Sequence, residues 1–393
     1  MVGLDFLAFA SNFSHFSGPN NPLLDLGNHL HAAGRYRFAV LTHRATPEPE
    51  FAGLISFPVH SELRGAPSWG MPRLLAAPAN VAVIRKALRR LRPRRVIVFS
   101  SIDTAFEVSW AIRRRVAIGH NVLFNAPHRD WHRRLGLGTP KPTLRERLVL
   151  ATLDRIAAVT IVDLILAHTE FHKRLYLTLG IPAERITVVP HCIDSNRVRR
   201  AAADAPASAA AGGLMTLLYA GRLEREKGVS ELLEAASHAS REVPLRLIIV
   251  GRGRLQPVVE RAEAATSVGG TLRVEYQPWA PRPVLMGMMR DADAVVIPSY
   301  VEAFGMVGLE AMALGRPVIG VTQGGLPEIV RDGKEGIMVE SPSPPLLASA
   351  ILSLARDEGL RKAFGANGER RVAEQYDVAV VAPKFVQFME SLG

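Results

Sequence analysis

A single cysteine, Cys192, in 393 residues rules out an intrachain disulfide framework and a cysteine metal cluster. A reducing, cytoplasmic setting is therefore the expected one. No run of about 18 uninterrupted apolar residues occurs, so nothing is expected to span a bilayer. The N-terminal MVGLDFLAFASNF is apolar but has no basic leader and no clear cleavage site, and reads as a first buried strand rather than a signal peptide. No H-E-x-x-H motif is present, and Gly251-Arg-Gly253 follows a strand without the third glycine of a dinucleotide fingerprint. Asp291 and Asp293 have the spacing of a metal-binding pair, but they sit at a helix end before a strand and read as surface residues. No metal and no cofactor is expected. Aromatics are not interleaved with the basic clusters, which argues against nucleic-acid binding despite a pI of about 10.3. No repeat is short enough for a solenoid.

What is present is globular: 48% apolar and 22% charged residues, enough chain for two ordinary domains. The net charge of +11 is unevenly placed. Residues 1–200 carry 28 Lys and Arg against 14 Asp and Glu, whereas residues 201–393 carry 20 against 23. That asymmetry suggests two halves with different partners. A genomic bias toward arginine explains it equally well, since only seven of the 48 basic residues are lysine.

Apolar runs alternate with helical patterns in both halves. Strands are predicted at 4–10, 37–42, 96–100, 122–125, 164–168 and 186–190, then at 215–220, 245–250, 294–298 and 317–321. Val81, Ile84, Leu88 and Leu91 mark a helix over 81–92, with Asn80 as its cap and Pro93 as its stop. Residues 195–214 are small and without apolar period, a candidate hinge. The expectation is an α/β protein with two doubly wound parallel sheets facing across a cleft, ligands binding at the carboxyl ends of the strands. The predicted division is 1–195, a linker at 196–214, a second domain at 215–375, and a C-terminal helix in 376–393 packing back on the first domain.

Three motifs in the second half carry chemistry. GRLEREKG, Gly221–Gly228, follows a strand; Gly221 permits a tight turn, and Arg222 and Lys227 suit a diphosphate. A basic surface loop is the alternative. PSYVEAFGMVGLEAMALGRPVIG, Pro298–Gly320, reads strand end, loop, helix, strand. Gly305 falls where the helix begins, so the amides of Phe304, Met306 and Val307 face any bound anion. Glu302 and Glu310 are acceptor-only carboxylates, suited to the hydroxyls of a sugar and a ribose. The alternative is that Glu302 caps the helix and Glu310 pairs with a nearby arginine. GGLPEIVRDGKEG, Gly324–Gly336, again brings backbone close to a ligand where a short helix begins near Leu326.

These motifs, in this order and spacing, resemble the donor domain of the retaining glycosyltransferases of family 4, which have the GT-B fold of two Rossmann-like domains. Glu302 and Glu310 match the family's pair of glutamates separated by seven residues, and Gly221 to Gly228 match its G-R-L-x-x-x-K-G element. The likeness covers most of 165–345, although His191-Cys192 replaces the usual Asn-Gly turn. The resemblance implies transfer of a hexose-type sugar from a nucleoside-diphosphate sugar to a glycan, lipid or lipid-linked acceptor. Arg222 and Lys227 would hold the diphosphate, Glu310 the ribose and Glu302 the donor sugar, with backbone around Phe304, Gly305 and Met306 covering it. His128 in NAPHRDW resembles a family histidine near the reacting carbon. Gly18, in SNFSHFSGPNN, stands where the family has a glycine pair near the phosphate.

Arg85, Lys86, Arg89, Arg90, Arg92, Arg94 and Arg95 cluster on and just after one amphipathic helix. Residues 81–95 would dock the protein peripherally on an anionic membrane, each nearby cation contributing about 1 kcal/mol. A solvated basic face complementing the helix dipole is the bland alternative. Other activities on the same fold, epimerase or phosphorylase, and a basic nucleic-acid binder are the rival functions.

Overall fold

The computed structural model describes residues 4–10, 20–43, 53, 55–63, 71–99, 102–112, 116–118, 162–178, 180–206, 213–266 and 270–392. The chain divides into two compact units, residues 1–192 with 378–393, and residues 193–377.

The first unit is built on a parallel sheet of β1 (Phe6–Ala10), β2 (Phe38–His43), β3 (Val59–Leu63), β4 (Arg95–Phe99), β5 (Val116–Ile118), β6 (Val162–Ala167) and β7 (Ile186–Val188), in the order β3-β2-β1-β4-β5-β6-β7. Alternation along β1 sorts its residues between the two faces. Phe6, Ala8 and Ala10 pack with Leu23 and Leu24 of the helix Asn20–Ala32 and with Phe385 of the helix Val378–Glu390. Leu7 and Phe9 pack with Ile84 of Met71–Leu91 and Val108 of Ile102–Ile112. With both faces covered, the central strands β1, β4 and β5 are almost wholly apolar, as parallel sheets require.

The second unit repeats the plan with β8 (Met215–Ala220), β9 (Leu245–Val250), β10 (Leu272–Gln277), β11 (Ala294–Ile297), β12 (Val318–Val321) and β13 (Gly336–Val339), in the order β10-β9-β8-β11-β12-β13. All its pairings are parallel. Strand order reverses between β8 and β11, and in such sheets the crevice beyond that reversal is where ligands bind. The loops leaving β8 and β11 are the ones that carry the first two motifs.

Two local expectations are corrected. The helix near Asn80 begins at Met71, so Asn80 lies inside it; its side-chain amide donates to Glu107 Oε1 at 2.9 Å instead of capping. The segment expected to be a hinge opens as a helix, Ser195–Ala203, because the Asp194 side chain accepts from the Arg197 amide at 2.8 Å and caps it. The strand predicted at 122–125 lies outside the described residues. Among the described residues, no helix is long and apolar enough to cross a membrane.

Candidate functional site

The loop after β8 is tied down at both ends. The Gly221 amide donates to the Val250 carbonyl at 3.0 Å, and the Tyr219 hydroxyl donates to the Arg222 carbonyl at 2.7 Å. A single turn, Arg225–Lys227, then ends at Gly228 with φ 68° and ψ 24°. A Cβ there would lie 1.9 Å from the Pro298 carbonyl oxygen, so only glycine lets this loop approach the end of β11. The Tyr300 amide donates to the Glu226 carbonyl at 3.0 Å and fastens the two loops.

That approach brings together residues 75 apart in sequence. Lys227 Nζ donates to Glu302 Oε2 at 2.7 Å, and Ser299 Oγ donates to the same oxygen at 2.9 Å. Both side chains of the ion pair are 19% exposed, sheltered yet reachable. Burial alone would raise the Glu302 carboxyl. The Lys227 ammonium, the hydrogen bonds from Lys227 and Ser299, and the charge of Arg222 outweigh it and hold the group below the usual carboxylate range. Arg222 is 64% exposed, with its Nη2 donating to Glu226 Oε1 at 3.1 Å. It is an exposed partner on a fastened loop, and its pair is worth at most about 1 kcal/mol.

The third motif supports Glu302 from behind. The Gly325 amide donates to the Glu302 carbonyl at 2.7 Å, and Glu302 bridges to Gly324. Gly305, at φ 96°, is the cap of Met306–Ala313 and contributes no side-chain hydrogen bond. Glu302 therefore does not cap that helix, and the amides of its first turn remain a partial positive end. Phe304 is buried, edge-on to Tyr376 at 6.3 Å between centroids, so its backbone rather than its ring is available to a ligand. Met306 is half-buried.

Glu310, one turn into the same helix, has a partner that the sequence did not reveal. Arg282 Nη1 donates to Glu310 Oε1 at 2.8 Å, with side-chain exposures of 7% and 5%. The alternative in which Glu310 pairs with an arginine is thus the observed arrangement, and only its helix-capping half fails. Arg282 opens the helix Arg282–Asp291, where a cation opposes the helix dipole at a cost of about 0.3–1 kcal/mol. The ion pair offsets that cost, and removing either member would strand a buried charge, a loss of about 3–5 kcal/mol. The sequence could have flagged Arg282 only as a basic residue at the wrong end of a helix.

Other charged residues are committed to the fold. Asp293 accepts from the Thr216 amide at 2.8 Å, and Asp291 pairs with Arg290 at 2.7 Å. Among the described residues no group of three His, Cys, Asp or Glu side chains is arranged to hold a metal. Of the basic cluster at 81–95, Arg85 donates to the Trp110 and Ala111 carbonyls at 3.3 Å, Arg90 pairs with Glu62, and Arg95 donates to the Leu392 carbonyl at 3.2 Å. Lys86, Arg89, Arg92 and Arg94 stay exposed. Gly18 and His128 lie outside the described residues.

The first unit holds a buried polar group that sequence reasoning missed. His168 and His191 stack with centroids 3.7 Å apart, and His168 Nδ1 lies 2.8 Å from the Val189 carbonyl oxygen. Burial lowers His168 to about 4 against the raising effect of that carbonyl. Burial, and then the neighbouring His168, lower His172 to about 3. Both rings are neutral at physiological pH.

The chain matches two family models. The one described as glycosyl transferases group 1 covers residues 203–371, and the one described as glycosyltransferase family 4 covers residues 16–197. A D-inositol 3-phosphate glycosyltransferase of Nocardia farcinica is 32% identical over 302 residues, which is 73% of this chain and 65% of the relative. One of Rhodococcus erythropolis is 35% identical over 229 residues, covering 55% of this chain and 50% of the relative. The match thus spans between half and two thirds of these relatives' length. Among solved structures, HepE from Anabaena in complex with UDP and glucose superposes with a TM-score of 0.75 at 17% identity, covering 99% of this chain and 100% of that one. Sucrose-phosphate synthase from Thermosynechococcus elongatus gives 0.75 at 19% identity, covering 99% of each chain. At such identities the likeness shows the fold, that of two Rossmann-like domains.

Proposed function

The chain belongs to the glycosyl transferases group 1 family, and from that premise we propose a retaining glycosyltransferase that moves a hexose-type sugar from a nucleoside-diphosphate sugar to a glycan, lipid or lipid-linked acceptor. The observation that carries this reading is the Lys227–Glu302 ion pair at the strand-order reversal, 2.7 Å long and sheltered but reachable. A cation and an ionised acceptor side by side suit a phosphate joined to a polyhydroxylated ring. In this reading Lys227 and Arg222 hold the diphosphate, Glu302 accepts from the donor sugar's hydroxyls, and Glu310 accepts from the ribose. Gly18 and His128 take their roles from the family resemblance alone.

Glu302 and Glu310 are engaged with cations and serve binding rather than covalent attack. The favoured route is therefore front-face displacement. The bond from the anomeric carbon to the phosphate oxygen breaks while the acceptor oxygen bonds to the same face. The acceptor's proton passes to the departing phosphate, whose growing charge Lys227 and Arg222 stabilise. These cations do the work a metal would otherwise do, so turnover is expected to survive chelation by EDTA.

The relatives' names support a second acceptor class, an inositol phosphate, whose anionic group suits the basic first half. The test is turnover across UDP-, GDP- and ADP-sugars with lipid-linked acceptors and inositol 3-phosphate. Release of nucleoside diphosphate only when acceptor is present, with the product's anomeric configuration retained by NMR, is the expected result. Acceptor-independent sugar isomerisation, or cleavage that requires inorganic phosphate, would replace it with an epimerase or a phosphorylase. Peripheral membrane binding through the exposed Lys86, Arg89, Arg92 and Arg94 is part of the proposal. Absence of co-sedimentation with anionic vesicles at low salt removes that part.

A further inference from the structure

The Arg282–Glu310 pair has features that a stabilising ion pair does not need. Arg282 stands at the first residue of its helix, in a first turn with no acidic residue. Local electrostatics disfavour a cation there, so a position that breaks the local rule is one where another demand prevails. Its guanidinium reaches across to a helix 28 residues downstream and bonds one oxygen of Glu310, Oε1. No described residue donates to the other oxygen, Oε2. The carboxylate is therefore held at one oxygen by a rigid planar donor, with its second oxygen left to accept. An Arg–carboxylate bond fixes orientation better than a lysine would, because the guanidinium presents its donors in a fixed plane.

We infer that Arg282 is a positioning residue that presents Glu310 Oε2 to the ribose hydroxyls of the donor, and so sets the protein's preference for ribonucleotide over deoxyribonucleotide donors. This rests on the reading of Glu310 as the ribose acceptor. A carboxylate whose orientation is set before the ligand arrives loses less freedom on binding, and that gain reaches only ligands carrying the hydroxyl it meets. A site built to bond a hydroxyl also rejects the analogue that lacks it, since the buried acceptor is then left unmatched.

The experiment is calorimetric binding of UDP, GDP and ADP, and of their 2′-deoxy and 3′-deoxy forms, to the full chain. Wild type is compared with Arg282→Met, Arg282→Lys and Glu310→Gln. Wild type is expected to prefer the ribose form at least tenfold, and Glu310→Gln to lose that preference. Arg282→Met should reduce the preference to about twofold, mainly by weakening the ribose form, with deoxy affinity changed less than twofold. Arg282→Lys, which keeps the charge and guards against misfolding of the methionine variant, should retain a preference between the two. Equal weakening of both nucleotide forms in the arginine variants would overturn the inference and leave Arg282 a structural residue. Nucleotide binding without ribose preference in wild type would overturn the reading of Glu310 itself. No binding by any nucleoside diphosphate would overturn the donor site as a whole.

Discussion

The second unit buries ionisable side chains as ion pairs, Lys227 with Glu302 and Arg282 with Glu310, whereas the first buries His168 and His172 as neutral rings. Both arrangements avoid a lone charge in a poorly polarisable interior. They differ in what they leave behind. Glu302 is held below the usual carboxylate range by Lys227 and its neighbours, so it keeps its charge in the loop beyond a strand end. The histidines have given up their charge, and what they retain is a sensitivity to acid. The contrast teaches that a buried polar group is informative about function when its charge survives burial.

The largest effect that would sharpen this contrast is acidification. In the unfolded chain a histidine takes up its proton near 6.5, while folded His168 and His172 do so only near 4 and 3. Above pH 6.5 neither state is protonated and the rings leave stability unchanged. Between 6.5 and about 4 the unfolded state binds more protons, so stability falls as pH falls, by up to about 1.4 kcal/mol per unit for each ring. Glu302 has the same sign in a lower window: its folded pKa is also depressed, so its contribution is intact above the carboxylate range and is lost as pH falls through it. Urea unfolding at pH 7.5, 6.5, 5.5 and 4.5 should show the decline beginning near 6.5. A flat profile down to 4.5 would break the comparison from the histidine side.

Next in size is removal of the site cation. Lys227→Ala should cut kcat/KM about a hundredfold, by roughly 2.7 kcal/mol, through loss of a charge-assisted bond to the donor and of its hold on Glu302. Glu310→Ala should cost at least about tenfold, with the circular dichroism spectrum unchanged. Near-normal rates in both would break the comparison from the ion-pair side. A smaller effect is expected from His168→Phe. It keeps the stack with His191 but removes the bond to Val189, costing about 1 kcal/mol at pH 7.5. Its acid slope should be shallower by about one proton. The smallest belongs to Arg90→Ala, whose exposed pair with Glu62 is worth less than about 1 kcal/mol in urea titrations.

The sequence reveals most strands that sit in an apolar run and hides several that are short or carry charged residues. The runs in β8, β11 and β12 carry no charge and that in β9 is broken only by Arg246, so all four are legible directly. β10, LRVEYQ, is an edge strand whose Arg273 and Glu275 interrupt the apolar run, and β3, VHSEL, is another edge with the same polar admixture. β5, VAI, is internal but only three residues long. Residues 195–203 passed as linker because alanine and arginine show no apolar face, although Asp194 was a readable cap. At the site, Glu302, Glu310, Lys227 and Arg222 were legible because motif spacing along the chain carries them. Arg282 and the histidine stack were not, since their partners are chosen in space, 28 and 23 residues away.

The helix Val378–Glu390 belongs to the first unit although it follows the whole of the second in sequence. Its Val381, Phe385, Phe388 and Met389 complete the same apolar layer as Phe6 of the opening strand. During synthesis the second unit has all its residues as soon as 377 has cleared the ribosome, whereas the first must wait for the segment made after it. The order in which the two can mature is therefore the reverse of the order in which they are translated. Until the last helix emerges, the nascent chain exposes the oily underside of its first sheet, and chaperones that recognise apolar surface meet it there.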